Sequence, residues 1–144
     1  MVGTLFERQH SPDPRNTKPS RCVVAPINWF CYRCSFKGYQ DTLYVNAKSQ
    51  FYRDCDIYGT IYFIFGNAIV VFQNCNIYVR RPMKDQVNVA IAQSRKQPDE
   101  STGIVIHNCH VTTAEDLRPV QRSFRTYLGQ PWWVYVLEDS DPKE

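Results

Sequence analysis

Apolar residues in this chain fall in short runs broken by Gly, Asn and charged positions, with almost no helical periodicity. Two dense, low-charge runs stand out, Gln40 to Val45 and Ile61 to Phe65, separated by a polar segment and followed by Gly66 and Asn67. Runs of β-branched and aromatic residues with Gly/Asn breaks predict strands. Further strands are predicted at Val87 to Ala92 and Thr126 to Leu128, with a polar turn over 94–103. Thr113 to Asp116 and Pro119 read as a loop with a short helical turn, and Gly129 to Trp133 as a Gly-Pro-aromatic loop. Gln40 and Asp41 read as a buried pair inside the first run, and carboxylates are seldom buried unless paired or used.

The runs repeat. Aligned on cysteine, FCYRCSF (30–36), FYRDCDIY (51–58), VFQNCNIY (71–78) and VIHNCHVT (105–112) share an apolar-polar-Cys-polar-apolar order, with cysteines stepping by 21, 20 and 34 residues. A fixed period near 20 residues, built of strands and turns, predicts an all-β solenoid, the parallel β-helix, in which equivalent side chains stack coil upon coil. The 34-residue step then marks a coil with long insertions, placed in RRPMKDQVNVAIAQSRKQPDESTG. Asp54, Asn74 and Asn108 fall in one column and predict a side-chain ladder at a turn. Cys55 and Cys75 occupy one position in adjacent coils, about 4.8 Å apart in a parallel sheet. They are therefore expected to be close, as a disulfide or as two core thiols. Residues 1–29 read as a flexible or divergent arm, 30–137 as the partial β-helix and 138–144 as an acidic tail.

Composition narrows the partners. At 43% hydrophobic and 22% charged the chain is globular, and 14% aromatic content suits strands. A net charge of +3 gives no case for nucleic acid, permitting only a modest preference for an acidic polymer. No apolar run approaches the roughly 20 residues of a membrane span. The N-terminal residues lack a basic segment followed by an apolar one, so no signal peptide is read there. Cys31 and Cys34 form a lone CxxC, and with no second such pair no metal site is expected.

GYQDTLY (38–44), FYRDCDIYGT (51–60), FIFGNA (63–68), FQNCNIY (72–78) and SFRTYLG (123–129) resemble, in order, the motifs of plant pectinesterases (pectin methylesterases). The resemblance covers about Phe30 to Trp132 and implies a right-handed parallel β-helix, roughly half of a family catalytic domain. It further implies a methyl-esterified homogalacturonan substrate, no cofactor, a cell-wall setting outside the cell, a monomer, and a pectinesterase inhibitor protein as a second partner. In the family an aspartate opening the FIFG strand attacks the ester. The QDTLY aspartate is the acid/base, two glutamines stabilise the oxyanion, and an LGRPW arginine orients the nucleophile beside a cleft tryptophan. By resemblance Asp41 takes the acid/base position, Gln40 an oxyanion position and Trp132 the cleft position. Tyr39 and Tyr44 are offered as further sugar-ring surfaces.

Two positions differ. Tyr62 stands where the nucleophilic aspartate belongs, and Gln130 where the arginine belongs; the upstream oxyanion glutamine has no match in CVVAPINW (22–29). A phenol is almost wholly protonated at neutral pH, and losing a nucleophile removes several orders of magnitude in rate. The expectation is a pectinesterase relative whose catalysis is lost or severely impaired. The alternatives are a working esterase that bypasses the carboxylate, a non-catalytic pectin-binding relic, or a non-functional truncated product. Asp41 then reads as a structural carboxylate at a coil turn, and Gln40 as a turn amide.

Overall fold

In a computed structural model, residues 28–132 are described together with the strands Leu5–Glu7 and Cys22–Val23. Fourteen strands succeed one another: β1 Leu5–Glu7, β2 Cys22–Val23, β3 Trp29–Tyr32, β4 Ser35–Lys37, β5 Leu43–Tyr44, β6 Ser49–Arg53, β7 Asp56–Gly59, β8 Ile61–Gly66, β9 Ile69–Gln73, β10 Asn76–Val79, β11 Asn88–Gln93, β12 Gly103–His107, β13 His110–Thr113 and β14 Thr126–Gly129. A 3-10 helix, Arg118–Ser123, lies between the last two. Every third strand pairs in parallel, giving three sheets of order β1-β4-β7-β10-β13, β14-β11-β8-β5-β2 and β12-β9-β6-β3. The chain is a right-handed parallel β-helix, the hand that twisted parallel strands favour.

Period-two alternation puts one side of each strand inside, and the coil repeat stacks like on like. Phe36, Ile57 and Ile77 lie in register, as do Tyr52 and Phe72, and all are buried. The Tyr52 ring stacks on Phe72 at 4.8 Å and meets Phe36 edge-on at 5.8 Å. Its hydroxyl donates to Gln50 Oε1 at 2.9 Å, so the one polar atom in this ladder is satisfied. Each such side chain removed from water contributes about 2 kcal/mol.

The cysteine column is real. Cys34, Cys55 and Cys75 are buried and Cys109 half-buried in successive coils, all free thiols. Cys55 and Cys75 stand at equivalent positions of adjacent coils, as expected, and as thiols each Sγ donates to backbone carbonyls. Burial and a hydrogen bond with Cys34 push the Cys31 thiol up to about 12, and the bond with Cys75 together with burial raises Cys55 strongly.

The turn column is equally regular. Arg33, Asp54, Asn74 and Asn108 all adopt left-handed backbone, with φ of 53°, 53°, 53° and 52°. Asn108 Nδ2 donates to Asn74 Oδ1 at 2.8 Å, one rung of the predicted Asp54–Asn74–Asn108 ladder. Asn and Asp tolerate this conformation because their short polar side chains bond locally.

Four expectations change. Gln40 to Val45 is not one strand: only Leu43–Tyr44 is, and the residues before it form a corner in which Asp41 has φ 55°. Gln40 is exposed and Asp41 half-buried, so the pair is not buried. Within the arm, Leu5–Glu7 pairs with β4 and Cys22–Val23 with β5. Trp29, the last residue read as arm, opens β3; apart from Asn28, the rest of the arm and residues 133–144 lie outside the described residues. The extra length in the 34-residue step is divided between two corners, 80–87 and 94–102, either side of β11.

Candidate functional site

The corner between β4 and β5 carries Gln40 and Asp41. The Asp41 N–H donates to the Ile61 carbonyl at 3.1 Å, and the Thr60 N–H donates to the Tyr39 carbonyl at 2.8 Å. Thr42 Oγ1 donates to the Tyr58 carbonyl at 2.9 Å. These bonds clamp the corner onto the coil that follows. Gly38 is obligatory for the approach: a Cβ there would lie 2.5 Å from Thr42 Oγ1.

Ile61, which receives the Asp41 bond, directly precedes Tyr62, so the two residues sit on neighbouring coils at one edge of the sheet. Strand β8 bulges there. Ile61 pairs with Val89 and Ile64 with Ile91, so Tyr62 and Phe63 together oppose Ala90. An extra residue in one strand re-aims side chains. Phe63 is fully buried, while Tyr62 is half-buried with φ 46°.

Tyr62 and Gln130 meet. The tyrosine hydroxyl donates to Gln130 Oε1 at 3.4 Å across the span from β8 to the end of β14. Backbone bonds hold the second partner: the Gln130 N–H donates to the Ile91 carbonyl at 2.9 Å and the Trp132 N–H to the Gln93 carbonyl at 3.0 Å. Trp132, 49% exposed, stands edge-on to Phe65 at 5.6 Å, and Phe65 stacks on Tyr44 at 4.8 Å. The structure thus brings Asp41, Tyr62, Gln130, Tyr44 and Trp132 to one sheet and its adjoining corner, with Gln40 exposed at that corner.

Tyr39 behaves differently from the expectation of a sugar surface. One face of its ring lies under the Arg80 guanidinium, 3.9 Å from the ring centre, and its hydroxyl accepts from Arg80 Nη2 at 2.9 Å. Arg80 is a residue that pattern reading passes over, since in sequence it merely opens an insertion. Asp54 and Asp56 do not reach the site: Asp54 belongs to the turn column, and Asp56 Oδ1 accepts from Asn76 Nδ2 at 2.8 Å in another sheet. Among the described residues no three His, Cys, Asp or Glu side chains come together as metal ligands would.

The chemical inventory is one carboxylate (Asp41), two amides (Gln40 and Gln130), two phenols (Tyr44 and Tyr62) and a partly exposed indole. Such a set can orient and hydrogen-bond a polar ligand and offer rings to a sugar face. Among the described residues Asp41 is the carboxylate of this set, and Tyr62 stands at the position of a second.

A family model described as Pectinesterase matches residues 23–137. Pectinesterase 2 of Citrus sinensis is 64% identical over 104 residues, which are 72% of this chain and 20% of that protein. Among solved structures, a pectin methylesterase from carrot is 51% identical with a TM-score of 0.70, covering 72% of this chain and 32% of that one. A pectin methylesterase with an aspartate-to-alanine substitution, in complex with a hexasaccharide, is 34% identical with a TM-score of 0.62, covering 72% and 30%. The chain therefore spans about a fifth of the length of the curated relative it matches.

Proposed function

This chain belongs to the pectinesterase family, and on that premise we propose that it binds homogalacturonan without de-esterifying it at a catalytic rate. The observation that carries the reading is the Tyr62–Gln130 hydrogen bond at 3.4 Å. The family's negative nucleophile and positive orienting group are both replaced by neutral groups, and these satisfy each other.

Binding is a separate property from turnover. The exposed Trp132 and half-buried Tyr44 both pack against the buried Phe65, and the partly exposed rings of these two suit pyranose rings. Gln40 is exposed at the adjoining corner beside the half-buried Asp41, where its amide can meet sugar hydroxyls, carboxylates or methyl esters. A solved pectin methylesterase with an aspartate-to-alanine substitution is in complex with a hexasaccharide, which supports an oligosaccharide as the ligand class to test here. A homogalacturonan ligand would put the site of action in the cell wall.

The test is methanol release from highly methyl-esterified pectin, with Asp41→Ala as the control, beside calorimetric titration with a partly methyl-esterified galacturonic acid hexamer. Binding is expected, with release no higher than the control. Release above that control would overturn the non-catalytic reading, and absence of binding would overturn the pectin reading.

A further inference from the structure

Arg80 immediately follows β10, at a corner of the coil stack. Its N–H donates to the Gly59 carbonyl, one coil back, at 2.8 Å. Its side chain then reaches a further coil: Nη1 donates to the Gly38 carbonyl at 3.0 Å and Nη2 to the Tyr39 hydroxyl at 2.9 Å, with the guanidinium over the Tyr39 ring. In the opposite direction Nε lies 3.6 Å from Asp116 Oδ2, in the corner that follows β13. One residue thus ties together the corners at 38–39, 59, 80 and 116.

Each of these corners feeds the sheet that bears the site. Asp41 comes two residues after Tyr39, Tyr62 three after Gly59, and the Asp116 corner leads through the 3-10 helix into β14 and Gln130. We propose that Arg80 is a positioning residue for this cleft, setting the height of the Gln40–Asp41 corner against Tyr62 and Gln130. Ligand affinity then depends on a side chain that touches no ligand. The inference rests on the pectin-binding reading for its ligand, and on the hydrogen bonds alone for its mechanics.

The geometry asks for arginine. A planar fork can donate to a carbonyl and a hydroxyl while lying on an aromatic ring, whereas a lysine ammonium is a point charge on a flexible stem. Arg80→Lys should keep one of these contacts and lose the others.

Two readouts test this on the full chain, using wild type, Arg80→Met, Arg80→Lys and Tyr39→Phe. One is calorimetric affinity for the partly methyl-esterified galacturonic acid hexamer; the other is amide hydrogen exchange. Arg80→Met is expected to weaken binding about tenfold, the scale of one hydrogen bond to a charged group. It should speed exchange at Asp41 and Thr42 about as much, while β9 amides keep their protection. Arg80→Lys should recover part of both, and Tyr39→Phe should show a smaller change in the same direction.

Unchanged exchange at Asp41 and Thr42, or faster exchange in every coil alike, overturns the proposal. If wild type does not bind the hexamer, the pectin reading fails and the exchange pattern still decides the role of Arg80. If Arg80→Met does not fold, Tyr39→Phe decides: no change at Asp41 and Thr42 overturns the proposal.

Discussion

Two sets of left-handed residues divide this molecule. Along one turn, Arg33, Asp54, Asn74 and Asn108 repeat the conformation coil after coil, with φ of 52–53°. At the site, Asp41 (φ 55°) and Tyr62 (φ 46°) adopt it once each, one in a corner and one in a bulge. In the turn column three of the four are Asn or Asp, residues for which the conformation is cheap. Tyr62 is bulky, and a bulky residue with positive φ costs on the order of 1–3 kcal/mol. That strain persists because Phe63 on its inner side is fully buried and Gly59 leaves room for it: a Cβ at Gly59 would lie 2.1 Å from the Phe63 Cβ. The backbone that aims a site residue is therefore held by packing beneath it, independently of which side chain it carries. A site can change its chemistry while the scaffold keeps its shape.

The largest effect should come from returning the charges. Tyr62→Asp combined with Gln130→Arg is expected to raise methanol release from esterified pectin at least ~100-fold over wild type, since an essential nucleophile carries several orders of magnitude. Asn74→Asp in the turn column should leave release unchanged, which makes the contrast between the two sets a kinetic one.

Next comes the turn that closes β8. Gly66 has φ 136°, and a Cβ there would lie 2.0 Å from the Val45 carbonyl oxygen. Gly66→Ala is expected to destabilise the fold by about 3 kcal/mol in urea titration.

Alkaline pH probes the interior. Cys31 is held neutral up to about 12, against 9.0 for a free thiol, chiefly by burial. Because the folded value is raised, the unfolded chain loses these protons first. Stability is then whole below pH 9 and falls as pH climbs from there toward 12, by on the order of 2 kcal/mol near pH 11. Tm measured from pH 8 to 11 checks the slope, and Cys31→Ala should flatten it.

The smallest change separates the two left-handed sets directly. Arg33→Asn should stabilise the turn column by roughly 0.5 kcal/mol, as a better left-handed residue. A change of that size in urea midpoint, with pectin affinity unaltered, would confirm that this column carries shape alone.

The repeat was legible because the cysteines and the Asn/Asp positions recur at a near-constant step, and stacking makes sequence neighbours of the alignment into neighbours in space. Strand β8 and the strand at Thr126 were legible for the same local reasons, apolar density and Gly punctuation. The Gln40–Asp41 corner was not, because its residues have strand-like neighbours and the left-handed turn at Asp41 is imposed by the coil beneath, through the Asp41–Ile61 bond. The positions of Tyr62 and Gln130 could be named one by one from motif resemblance. That they bond each other follows only from a fold that brings residues 68 apart in sequence together. Arg80 escaped for a related reason: its attachments lie in three different corners besides its own, and nothing in the local string RRPMK marks it.

Among the described residues, strands bond to the strands of the coils before and after. Held between two anchors and stretched, such a stack would break serially. A 20-residue step would lengthen the chain by roughly 70 Å as it peels, and the 34-residue step by roughly 115 Å. The spacing of force peaks would then read out the coil lengths in order, so the same periodicity that builds the scaffold also serves as a ruler engraved along it.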